Sequence, residues 1–179
     1  MSRRIAMTLF ALAALAVPLA AHAFTSLTVE GFAGWQNLRL TTDSLGNAIG
    51  GREGTAIVGG DALVNLEGLG LGASVDKTVS GSRGGQPWAG ALMAGLVLEP
   101  APVFRIEVLG ELGRRGTDFG NIFDKGGATF IGFRPGVSIR LVPTALRIGV
   151  SGLVRWPTSN GDIGSPDYGI LGRVGFEIP

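Results

Sequence analysis

Apolar and polar residues alternate with period 2 along most of the chain beyond residue 24. In VSIRLVPTALRIGVSGLVRW, residues 137–156, one face holds Leu146, Ile148, Val150, Gly152, Val154 and Trp156. The other holds Arg147, Gly149, Ser151, Leu153 and Arg155. Before a tight turn predicted at Pro143-Thr144, Val137, Ile139 and Leu141 oppose Gly136, Ser138 and Arg140. Successive strand side chains point to opposite faces, so this pattern predicts two strands.

The same test finds six more. Leu27, Val29, Gly31, Ala33 and Trp35 oppose Thr28, Glu30 and Gln36; Ala56, Val58, Gly60, Ala62, Val64 and Leu66 oppose Asp61, Asn65 and Glu67. Leu71, Ala73 and Val75 oppose Ser74 and Asp76; Trp88, Leu92, Leu96 and Leu98 oppose Ala89, Met93 and Glu99. Phe104, Ile106, Val108 and Leu112 oppose Arg105, Glu107 and Glu111; Tyr168, Ile170, Val174, Phe176 and Ile178 oppose Arg173 and Glu177. Glycine supplies 31 of 179 residues, which disfavours helix. Tight turns near Gly68, at Pro100-Ala101-Pro102 and at Pro143-Thr144 alternate with longer loops at roughly 41–53, 80–87, 114–127 and 157–167. That is an up-and-down meander with two distinct ends.

Alternation does not say which face is inside. On the strand from Trp88, the face opposite the large apolar residues carries Ala89, Ala91, Met93, Gly95 and Val97, which would be an aggregation hazard in water. The large aromatics also gather at two levels. Trp35, Trp88, Trp156 and Tyr168 lie beside the long loops, and Phe104 and Phe176 lie near the other end, as a bilayer interface selects. With apolar residues outward, the sequence predicts an all-β protein: an eight-stranded antiparallel up-and-down transmembrane β-barrel over residues 24–179. Its narrow lumen would then hold a charge network of Glu30, Asp61, Glu67, Asp76, Glu99, Glu107, Glu111 and Glu177 with Arg105, Arg134, Arg140, Arg147, Arg155 and Arg173. Arg140 is expected opposite Arg147, with Glu107 and Glu177 as neutralising candidates.

The first 23 residues bring in the cell envelope. Arg3 and Arg4, the apolar run Ile5 to Ala20 and the small-residue motif Ala21-His22-Ala23 form the layout of a secretory signal peptide, cleaved before Phe24. Removing 23 of 179 residues leaves 156, and of 15 Lys and Arg it leaves 13 against 14 Asp and Glu. So balanced a charge gives no reason to expect nucleic acid. The one histidine, His22, leaves with the peptide, and there is no cysteine.

In these features, and in a final strand YGILGRVGFEI, the chain resembles the small eight-stranded outer-membrane barrels of Gram-negative bacteria, the OmpA transmembrane-domain and OmpX-like group. The resemblance implies outer-membrane location among lipid and lipopolysaccharide. It also implies assembly by the barrel-insertion machinery, which reads a C-terminal strand with alternating Tyr168, Ile170, Val174 and Phe176; such chains usually end on an aromatic, and this one ends Glu177-Ile178-Pro179.

Without His or Cys a hydrolytic triad has no base, so catalysis is not expected, and no cofactor or metal site is read. A structural or surface-interaction role through the long loops leads. The third loop offers Arg114, Arg115, Phe119, Phe123 and Lys125 for contact with a surface ligand or lipopolysaccharide. Two alternatives stay open: a narrow pore for small solutes, and a soluble periplasmic barrel, similar to a lipocalin, that binds an apolar ligand.

Overall fold

A computed structural model describes residues 24–40, 51–80, 86–116, 128–159 and 162–178; the proposed signal peptide, 1–23, lies outside them. The strands are β1 (Phe24–Leu40), β2 (Gly51–Leu66), β3 (Leu69–Ser80), β4 (Trp88–Ala101), β5 (Phe104–Gly116), β6 (Ala128–Arg140), β7 (Leu146–Ser159), β8 (Asp162–Ile163) and β9 (Asp167–Ile178). All but β8 are long. β8 only prolongs the edge of β7, pairing Ser159 with Asp162.

Each long strand pairs antiparallel with its successor from β1 to β7. β9 then pairs with both β7 and β1, which closes the sheet into an eight-stranded barrel. Closure leaves no free edge, so backbone groups find partners within the wall. Burial alternates along every long strand with the phase predicted from the sequence. On β9, Tyr168, Ile170, Val174, Phe176 and Ile178 face outward while Asp167, Leu171, Arg173 and Glu177 are buried inside.

Three short connections define one end. Glu67 and Gly68 form a two-residue hairpin with φ of 49° and 96°, the left-handed pair that matches strand twist. Asn65 Oδ1 accepts from Gly68 N at 3.0 Å and fixes it. Glu67 therefore sits exposed in a turn, not in the lumen where the alternation placed it, because the period-2 count does not survive two residues of positive φ. The second turn is Pro102-Val103, since β4 runs on to Ala101. The third occupies 141–145, five residues where two were predicted, and still sets Arg140 opposite Arg147.

The loop end departs further. β1 and β2 pair out to Leu40↔Gly51, so residues 51–53 are strand. β5 continues to Gly116 and takes Arg114 and Arg115 with it.

The seam between β6 and β7 is interrupted at one position. The β6–β7 ladder is continuous on both sides but skips Arg134–Leu153 and Pro135–Gly152. Proline has no N–H, so the Gly152 carbonyl has no ladder donor there, while the β5–β6 ladder passes through Val108↔Pro135 unbroken. An outward-facing apolar groove of about 360 Å³ lies over this position, lined by Ile106, Val108, Pro135, Val150, Gly152 and Ile170 among others.

Candidate functional site

The lumen holds the chemistry of the molecule. Arg105, Arg134, Arg147, Arg155 and Arg173 are all buried there, beside the buried carboxylates of Glu30, Asp61, Asp76, Glu107, Glu111 and Glu177. An unpaired charge in such a place costs several kcal/mol, so the pairing geometry decides whether the fold is viable.

At the turn end, Arg105 bonds Glu177, Glu99 at 2.6 Å and Thr28 Oγ1 at 2.9 Å. Arg147 donates to the same two carboxylates, Glu177 at 2.8 Å and Glu99 at 3.2 Å. Arg140 approaches Glu177 at 3.8 Å. Glu99 and Arg140 are not buried members; their side chains are 39% and 34% exposed at the mouth. Of the two carboxylates expected to neutralise Arg140 and Arg147, Glu177 does so. Glu107 instead serves Arg173 at 2.6 Å, and Arg173 also reaches Glu30 at 3.3 Å.

Above this lies a second group. Arg134 meets Asp61 at 2.6 Å and Glu111 at 3.1 Å. Arg155 meets Asp76 and Glu111, both at 2.7 Å. Near the loop end Arg115, expected in a loop, points inward from β5 and pairs with Asp167 at 2.7 Å. Arg114, its neighbour on the strand, points the other way, as period 2 requires.

Strand order gives these distances their meaning. Around the closed barrel, three strands separate β2 from β6 in either direction, and likewise β3 from β7 and β1 from β5. Arg134–Asp61, Arg155–Asp76 and Arg105–Thr28 therefore cross the lumen from one wall to the opposite one. They do so at successive heights.

Two inward rings escaped the sequence reading. Phe32 on β1 and Phe130 on β6 are buried, and the guanidinium carbons of Arg134 and Arg155 lie 4.8 and 4.7 Å from their ring centroids. Planar arginine suits that stacking while its edge binds carboxylate. Glycines make the room. A Cβ on Gly59 would meet Phe32 Cζ at 2.5 Å, and one on Gly132 would meet Glu111 Oε2 at 2.9 Å. The rest is filled by apolar side chains, with Phe32, Ile57, Leu153 and Leu171 in one cluster and Leu63, Met93, Val97 and Leu109 in another. Arg134 Nη2, Arg173 Nη2, Ser74 Oγ and Ser151 Oγ have no hydrogen-bond partner in the protein among the described residues. Groups of this kind are what a few enclosed waters satisfy.

The six aromatic residues expected at the two ends of the strands stand outside. Trp35, Tyr168 and Phe176 are exposed on the outer surface, and Trp88, Trp156 and Phe104 are partly covered there. Trp35 and Tyr168 meet edge to face at 6.2 Å, and the Tyr168 hydroxyl accepts from Asn37 Nδ2 at 2.7 Å. Phe119, Phe123 and Lys125, named above as loop candidates, lie outside the described residues. Among the described residues no cluster of side chains has the composition of a metal site.

Among solved structures, the N-terminal β-barrel domain of Pseudomonas aeruginosa OprF matches with a TM-score of 0.61 at 13% identity, covering 87% of this chain and 99% of that one. The fold is that of the small eight-stranded outer-membrane barrels. Neisserial surface protein A gives 0.55 at 12% identity, with 86% of this chain and 96% of that one covered. No family model matches the sequence, and no curated protein is detectably similar to it in sequence. At these identities the likeness belongs to the backbone and transfers no residue roles.

Proposed function

We propose that this is an integral protein of the outer membrane, exported by residues 1–23, inserted by the barrel-assembly machinery, and closed to solutes by its own ion pairs. Its work is structural or lies in surface interaction at the loop end, and not in transport. The observation that supports this is the set of lumen-crossing bonds Arg105–Thr28, Arg134–Asp61 and Arg155–Asp76, stacked with Arg115–Asp167 near the loop end. An eight-stranded barrel is only wide enough for side chains to fill, and here charged pairs, two phenyl rings and aliphatic clusters fill it. The outer surface fits hydrocarbon: Val150, Leu92, Leu96, Ile170 and Val174 stand at least half exposed on it. A soluble barrel binding an apolar ligand would need these two faces exchanged.

Conductance across a planar bilayer tests the reading. The wild-type barrel is expected to give no steady current above the lipid baseline, and the Arg134→Ser/Arg155→Ser variant, which removes two crossing bonds, is expected to give one. A steady ohmic current through the wild type would favour the narrow-pore reading instead.

A further inference from the structure

Charges on the outer surface are sorted by sign and by height. Facing outward near the loop end are Arg52 on β2, Lys77 on β3 and Arg114 on β5. Arg39 on β1 stands directly opposite Arg52 in the register. Among the described strand side chains no carboxylate faces outward, and no outward-facing strand residue near the turn end is charged. Composition does not cause this, since residues 24–179 hold slightly more acids than bases.

Two of the bases are fixed at the aromatic level. Arg52 places its guanidinium carbon 5.3 Å from the Tyr168 ring centroid and donates Nη1 to the Pro166 carbonyl at 2.7 Å. Lys77 holds its ammonium 5.2 Å from the Trp88 centroid. Tyrosine and tryptophan mark the headgroup level of a bilayer, and long basic side chains there keep their stems in hydrocarbon and their charge among the headgroups. Stacking covers one face of a cation and leaves in-plane N–H groups for an acceptor.

We infer that Arg52, Lys77 and Arg114 form a belt that binds phosphorylated lipid headgroups in the leaflet at the loop end. The ligand is lipid phosphate, held by its anionic oxygens against the outer wall. The inference rests on the membrane-spanning reading above and deepens its account of surface interaction. Placement at the headgroup level, outward orientation and the absence of outward acids exclude a role in the luminal network.

The test is energy transfer from the barrel's tryptophans to a dansyl lipid present at a few mole per cent in phosphatidylcholine vesicles. Dansyl-phosphatidate is compared with dansyl-phosphatidylcholine. One base near an anionic surface changes the preference by about fivefold, so the wild type is expected to enrich phosphatidate around itself many-fold. Arg52→Gln/Lys77→Gln/Arg114→Gln is expected to take up both lipids equally, with its folded state checked by heat-dependent gel mobility. If that variant does not fold, Lys77→Gln alone serves, with about a fivefold loss. Equal enrichment of both lipids by the wild type, or an unchanged preference in the folded variant, overturns the belt. Displacement of dansyl-phosphatidate by inorganic phosphate at constant ionic strength would also overturn it, because the site would then be one for soluble phosphate. Conductance reads the lumen and energy transfer reads the wall, so either reading can fail while the other stands.

Discussion

The two faces of β7 lie one side chain apart and follow opposite rules. Inward, Arg147, Ser151 and Arg155 are almost fully buried, and both arginines bond carboxylates on other strands. Outward, Ile148 and Val150 meet no charge at all, and on neighbouring strands outward charge appears only near the loop end. A charge is tolerated where a partner can reach it across the lumen, or where water is near. Nowhere between is it affordable. The arginines interrupting an apolar stretch are thus the inner half of a wall whose outer half is apolar.

The contrast can be broken from the inside. Glu111 serves both Arg134 and Arg155, so Glu111→Ala leaves two buried guanidinium groups short of charge. Removing one partner of a buried pair costs about 3–5 kcal/mol, and urea unfolding in detergent micelles or vesicles should show a loss of that size. A loss near zero would mean that the lumen is wet enough to solvate both arginines.

From the outside, substitutions at the exposed rim should matter less. Tyr168→Phe removes the acceptor for Asn37 Nδ2 but keeps the ring against Trp35 and Arg52. Its expected cost is about 0.5–1.5 kcal/mol by the same unfolding measurement.

Smallest of all should be the effect of mending the wall. Pro135→Ala supplies an N–H opposite the Gly152 carbonyl, a gain of about 0.5–1.5 kcal/mol, offset by about 0.4–1 kcal/mol of added freedom in the unfolded chain. Net stability should hardly move. Hydrogen exchange reads the change directly, and the new amide at 135 is expected to be as protected as those of Phe133 and Val137. Rapid exchange there would mean that the seam stays open for a reason other than the missing N–H.

The sequence made some of this legible and hid the rest for identifiable reasons. Face assignment came through because period 2 holds along every long strand, and Val150 and Ser151 sit where it placed them. Glu67 was lost because alternation gives no warning of two successive left-handed residues; the Leu66-Glu67-Gly68-Leu69 turn is recognised by its backbone. Arg115 was assigned to a loop because glycine and charge surround it, although its partner Asp167 lies on β9, a strand it meets only across the barrel. Phe32 and Phe130 went unseen because apolar residues were equated with lipid contact, whereas a lumen rich in arginine also accepts rings for cations to stack on. Their phase was the available signal: Phe32 shares its face with Thr28, Glu30 and Gln36. The pairings themselves could not be read. Which arginine meets which carboxylate depends on strand stagger around the closed barrel, and each of the five buried arginines draws at least one partner from a non-adjacent strand.

The central claim is that hydrocarbon lies on one side of this wall and the ion pairs on the other. It is tested most directly by placing one aspartate on each face at mid-strand and measuring unfolding free energy in lipid vesicles. Val150 is 50% exposed outward and Ser151 is 2% exposed inward, one residue along the same strand. Val150→Asp should cost about 2 kcal/mol at mid-membrane. Ser151→Asp should cost well under that, because Arg173 Nη2 lies within 3.5 Å of the Cβ position built on Gly136, the cross-strand partner of Ser151. Equal costs, or a larger one at Ser151, would contradict the account and turn the barrel inside out.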